Sequence, residues 1–131
     1  MAFAVRLYPP LDPTPLPPHP EVFEFNVLTS DGLYVYARSD FGRLLGLPDG
    51  PHRHPRIPGG GRSAMYAGDV EIEGGQVVEL TNLSGTFRCD SRSGLLDVAE
   101  AFCAVGLRVL PGAIRFFPSD GSPPVTLSLG E

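Results

Sequence analysis

The sequence predicts an α+β fold: a mostly antiparallel, curled β-sheet with one principal α-helix packed on it. Two observations carry that expectation. Several short runs alternate apolar and polar residues and are bounded by Gly, Pro and Asp, the period-2 signature of half-buried strands. A single segment, residues 91 to 106, carries apolar side chains at the three-and-four spacing of a helix. A chain of 131 residues fits one domain, large enough to bury a core without metals or disulfides. The expected division is an N-terminal strand and proline-rich arm over 1–20 and one α+β domain over 21–131.

In chain order, "AFAVRLY" alternates enough for a short edge strand. Residues 9–20 hold seven prolines in twelve positions, which locks φ, removes donors and excludes helix or central strand. Such a stretch serves either as a polyproline ligand or as an extended arm, and Arg6 lacks the ligand spacing, so the arm is preferred. "EVFEFNVL" (21–28) and "GLYVYAR" (32–38) flank the turn "TSDG" and predict a hairpin burying Val22, Phe23 or Phe25, and Val27. Ser39 or Asp40 is placed to cap a short helical turn before Gly46 and Pro48, and 48–61 reads as a long irregular loop. "MYAGDVEIE" and "QVVELTNL" predict a second hairpin turning at Gly74-Gly75, and "GTFR" can extend the sheet. The helix follows with Leu95, Leu96, Val98, Ala99, Phe102 and Cys103 on its stripe, Ser91 or Ser93 as cap and Gly106 beyond its end. "LRVLPGAIRFFP" and "PVTLSLG" supply the last strands.

A net charge of −5 argues against a nucleic-acid groove or an anionic membrane surface, both of which need a concentrated positive field. All ten basic residues are arginine, a feature of base composition rather than function. The N-terminus lacks the basic and apolar regions of an export signal, so the expected location is the cytoplasm unless a dedicated machine exports the protein. Cys89 and Cys103 are expected as packed thiols rather than a redox pair.

His54 stands six residues before Gly60-Gly61, Ala67-Gly68-Asp69 follows, and Asn82-x-Ser84-Gly85 precedes the helix. With that order, residues 54–117 resemble a segment shared by plant IQ-motif calmodulin-binding proteins and bacterial effector and polymorphic-toxin domains. Those carry His-Ser-Ser, Gly-Gly, Ala-Gly-Glu and Asn-x-Ser-Gly-His-Tyr in turn. The IQ helix has no counterpart here, so calmodulin binding is not implied. Pro55-Arg56 replace the two serines and Thr86-Phe87 replace His-Tyr, removing an imidazole and a phenol that would handle protons.

The resemblance implies ligand-binding residues His54, Gly60, Gly61, Arg62, Asn82, Ser84 and Thr86, in a cleft between the 54–62 loop and the 82–88 segment. Other constellations compete. His52 and His54 form an H-x-H pair suited to a metal, but the surrounding prolines favour exposed loop histidines. "PGGGRS" is able to present amides to an anion beside Arg62, yet lacks the ending of a nucleotide loop. Ser84, His54 and Asp69 compose a nucleophile, base and acid without a strand-to-helix elbow. Asp69 and Glu79, the acids available to a dinucleotide transferase, sit at strand positions where surface exposure is the simpler reading. The expectation is a cytoplasmic, non-catalytic binding module of effector or toxin type. It would take a protein or small ligand without cofactor, metal, nucleic acid or membrane, its oligomeric state left open. Two other classes stand beside it: an ADP-ribosyltransferase-like enzyme acting on a nucleotide-containing substrate, and a toxin-neutralising immunity protein.

Overall fold

Among the described residues eight strands pair into one sheet that curls around one α-helix, the α+β arrangement expected. The computed structural model describes residues 6–11, 17–50, 53–84 and 87–129. The strands are β1 (Phe23–Glu24), β2 (Gly32–Ser39), β3 (Leu44–Pro48), β4 (Ala64–Glu73), β5 (Gln76–Thr81), β6 (Arg108–Val109), β7 (Ile114–Phe116) and β8 (Val125–Leu127), and α1 spans Arg92–Ala104 between β5 and β6. Their order is β1-β3-β2-β4-β5-β7-β8, with β6 also on β5. Only the pairings of β5 with β6 and β7 are parallel, because α1 carries the chain back over the sheet between them. Among the described residues no helix is long and apolar enough to cross a membrane.

The inner face of the sheet is organised around Tyr36. Its register partners on both sides are glycines, Gly46 on β3 and Gly68 on β4. A Cβ at Gly46 would run into the Phe25 ring, and one at Gly68 into the Thr81 carbonyl. The missing side chains let Phe25 lie over β3 and let the end of β5 fold over β4. The Tyr36 hydroxyl, fully buried, donates to the Thr81 carbonyl oxygen at 2.7 Å. Phe102 of α1 closes the group, edge-on to Tyr36 at 5.9 Å and to Phe25 at 5.1 Å. One helix residue thus touches chain from the β1 side while α1 also packs on β4 to β7, so the sheet wraps the helix.

Ser91 caps α1, its Oγ accepting from the Gly94 amide at 3.0 Å, and Leu95, Val98, Ala99 and Phe102 are its buried residues. Leu96 is half-buried and Cys103 exposed, so the buried stripe is narrower than the sequence period suggests, and of the two thiols only Cys89 is packed away. Gly74 and Gly75, at φ +60° and +74°, make the primed turn of the β4–β5 hairpin.

The N-terminal half departs from expectation. β1 pairs with β3, not β2, so residues 21–28 and 32–38 form no hairpin. Two local turns explain this. Asn26 bends the chain after β1, its Oδ1 accepting from the Leu28 amide at 2.7 Å. Ser39 Oγ accepts from the Phe41 and Arg43 amides, which turns residues 40–43 and brings 44–48 back as a strand instead of a helical turn. The capping chemistry at Ser39 was legible; what it capped is a hairpin. Phe25 is buried, Val22 and Phe23 half-buried, and Val27 56% exposed. Of the predicted first strand, only Tyr8 among described residues makes a bridge, to Ala64. Residues 12–16 of the proline arm lie outside the described residues, while His19 donates its amide to the Arg56 carbonyl at 2.8 Å. Gly85 and Thr86 of "GTFR" are likewise outside, and Phe87 and Arg88 join no strand; Phe87 is buried instead.

Tyr36→Phe should cost about 1–2 kcal/mol in urea unfolding, the value of a buried hydrogen bond whose acceptor is left behind. Gly68→Ala should cost more, because the obstructing atom is backbone that no rotamer change can move.

Candidate functional site

The loop from 48 to 61 is irregular apart from one 3-10 turn, His54–Arg56. That turn lies against β2 and aims His54 at the sheet, where Nε2 sits 2.9 Å from the Gly68 carbonyl oxygen. A carbonyl only accepts, so Nε2 carries the proton and Nδ1 is the unprotonated ring nitrogen. Burial pushes the imidazole below its ordinary range, against smaller opposite effects of the Gly68 bond and Asp49, so the ring is neutral at pH 7. Gly60 and Gly61 are both left-handed, at φ +59° and +72°, within a turn closed by the Arg62 amide on the Gly59 carbonyl. Arg62 is exposed and lines a recess of about 420 Å³ with Pro18, Phe23 and Phe41. Neither Asn82 nor Ser84 lines that recess.

Asn82 is buried and fully employed. Its Nδ2 donates to the Cys89 and Phe117 carbonyls, each at 2.9 Å, and its Oδ1 accepts from the Phe117 amide at 2.7 Å. It ties the end of β5 to the approach of α1 and the exit of β7. Ser84 Oγ accepts from the Phe87 amide at 3.1 Å. Thr86 and His52 lie outside the described residues. Among the described residues no group of three or more His, Cys, Asp or Glu is placed to hold a metal ion.

Asp69 was expected on the surface and is half-buried instead. It shares the outer sheet face with its register partner Val35, and its carboxyl is pushed up to about 6, chiefly by desolvation and then by Asp49 and Glu79. Glu71 and Glu79 stand directly opposite each other on the same face, so β4 and β5 present a run of carboxylates there.

A second feature is spread too widely along the chain for sequence reading to assemble. At the amino end of α1 a recess of about 320 Å³ is lined by Arg6 and Tyr8 of the arm, Arg38 of β2, Tyr66 of β4, and Ser93 and Asp97 of the helix. The arm is held there by the paired backbone bonds of Tyr8 and Ala64, by Arg6 on Asp90 at 2.9 Å, and by Arg6 stacked 4.5 Å over the Tyr8 ring. Arg38 Nε donates to the Gly42 carbonyl at 3.3 Å. Burial raises both tyrosines above their ordinary range, so they remain hydroxyl donors: Tyr66 to the Ser91 carbonyl, Tyr8 to Asp90.

Two outcomes are expected. Asn82→Ala should destabilise by about 2–4 kcal/mol in chemical denaturation, because it strands several buried backbone groups at once. Asp69 has a folded pKa above its ordinary 3.8, so its ionisation weakens the fold progressively from about pH 4 to above pH 6. Asp69→Asn should therefore gain about 1 kcal/mol over the parent at about pH 8, after allowing for partial solvent access, and nothing at about pH 4. No family model matches the chain, no curated protein matches it, and no solved structure matches it.

Proposed function

We propose that this protein is a small non-catalytic binding module, related to bacterial effector or toxin domains as the 54–117 resemblance implies, and that it receives a ligand in the recess at the start of α1. The observation supporting this is the recess itself, where side chains from the arm, β2, β4 and α1 converge on one space. The three described polar residues of the resemblance that are engaged, His54, Asn82 and Ser84, each spend an atom on the protein's own backbone. That employment suits scaffolding better than proton transfer or ligand contact. A neutralising role is favoured by a different observation, the Asp69, Glu71 and Glu79 carboxylates gathered on the outer face, which suit masking a basic site.

A small-molecule screen by thermal shift, run on the wild type and on Ser93→Trp and His54→Ala, separates the possibilities. Ligands of the recess should be lost with Ser93→Trp and kept with His54→Ala. The opposite pattern would move the site to the 54–62 loop. Glu71→Lys with Glu79→Lys should leave recess ligands unaffected and abolish association with a basic toxin partner if neutralisation is the function.

A further inference from the structure

We propose, building on the recess as the binding site, that it takes a single phosphate group carried by a small organic moiety or a modified side chain. The argument rests on charge and shape together. The chain is acidic, with a net charge of −5, yet two of its ten arginines meet in this one recess. Arg38 makes no ion pair among the described residues: its Nε bond is to the neutral Gly42 carbonyl, and the Asp97 carboxylate, though it lines the same recess, is not paired with it. Arg6 is charge-balanced by the Asp90 carboxylate at 2.9 Å, so it brings the recess the remaining N–H donors of its guanidinium fork rather than an unpaired charge.

The helix reinforces the field of the two guanidinium groups. Its first turn carries no acidic residue, and helix geometry leaves the Arg92 and Ser93 amides without intrahelical acceptors. Ser91 Oγ is committed to the Gly94 amide and lies 3.0 Å from Ser93 Oγ. Ser93 Oγ lines the same recess as the two arginines, and when Ser91 is the donor in their shared bond the Ser93 hydroxyl is left to donate to a ligand. Donors arriving from three elements match a tetrahedral group with several acceptor oxygens better than a planar carboxylate. A volume of about 320 Å³ exceeds what one phosphate fills, which leaves room for an organic part against Tyr8, Tyr66 and Met65. Asp97 lines the same space and limits the charge accepted: it repels a second phosphate and favours a hydroxyl or ammonium on the ligand.

The test is titration with inorganic phosphate, phenyl phosphate and a phosphoserine peptide at constant ionic strength, following backbone amide shifts by NMR. Phosphate should move the Ser93 and Gly94 amides, Arg38→Gln should weaken binding about tenfold, and Arg108→Gln, an exposed arginine on β6, should change nothing. Arg38→Lys, which keeps the charge, should retain part of the affinity and guards against a folding defect in the first variant. Tighter binding of phenyl phosphate than of the peptide assigns a small-molecule source, and the reverse order assigns a modified partner protein. Unmoved Ser93 and Gly94 amides, or equal losses with Arg38→Gln and Arg108→Gln, would overturn the phosphate assignment. The recess reading fails separately, if no ligand of any charge from the thermal-shift screen is lost with Ser93→Trp.

Discussion

The fold depends on how closely Tyr36 can be approached. With glycine on both flanking strands, the Phe25 ring closes over β3 at Gly46 and the Thr81 carbonyl over β4 at Gly68, and the Tyr36 hydroxyl reaches across to that carbonyl. That bond draws the end of β5 inward over β4. Ladder pairing between these strands stops at Val70 and Leu80, and the chain beyond turns toward Cys89 and Phe117 through Asn82. A buried polar bond and two absent side chains therefore produce the curl, and the curl brings the two ends of the sheet within reach of one helix.

The same geometry sets where α1 begins. Tyr66 is two residues from Gly68 on the same inner face, and a Cβ at Gly94 would meet its ring, so the first turn of the helix rests directly on that tyrosine. The Tyr66 hydroxyl then donates to the carbonyl of the cap residue Ser91 at 2.7 Å. Arg38, whose register partner is Tyr66, lies on the neighbouring strand at this level, and Tyr8 stacks edge-on to Tyr66 from the arm at 5.8 Å. The recess is thus a consequence of core packing. It forms where the helix start, held up by an aromatic ring, leaves a gap that the arm only partly fills.

The second half of the chain was legible because its signals are local and strong: a Gly-Gly turn between alternating runs, a serine cap and one helical stripe. The first half was not, because two comparable turn signals compete and periodicity cannot say which strand becomes the neighbour. Asn26 and Ser39 both bend the chain through side-chain oxygens on nearby amides, and the tighter bend at Ser39 gives β3 the place beside β2. The arginine recess was illegible for another reason. Residues 6, 38, 66 and 93 share no motif, and only the sheet order makes them neighbours.

The residues that carry the resemblance are explained largely by backbone demands. Gly68 is needed for the close approach of β5, Asn82 for three backbone bonds, and His54 for one bond to the carbonyl of Gly68 itself. Two of these converge on the third: the His54 imidazole bonds the Gly68 carbonyl, and the chain at Thr81 and Asn82 lies where a Cβ of Gly68 would stand. Residues that brace one another in this way serve the fold whatever the protein binds. Their presence therefore says little about chemistry. The arginines of the recess also brace the fold, Arg6 through Asp90 and the Tyr8 ring and Arg38 through the Gly42 carbonyl, yet those bonds do not require both guanidinium groups to line one space, and that convergence is what folding alone leaves unexplained.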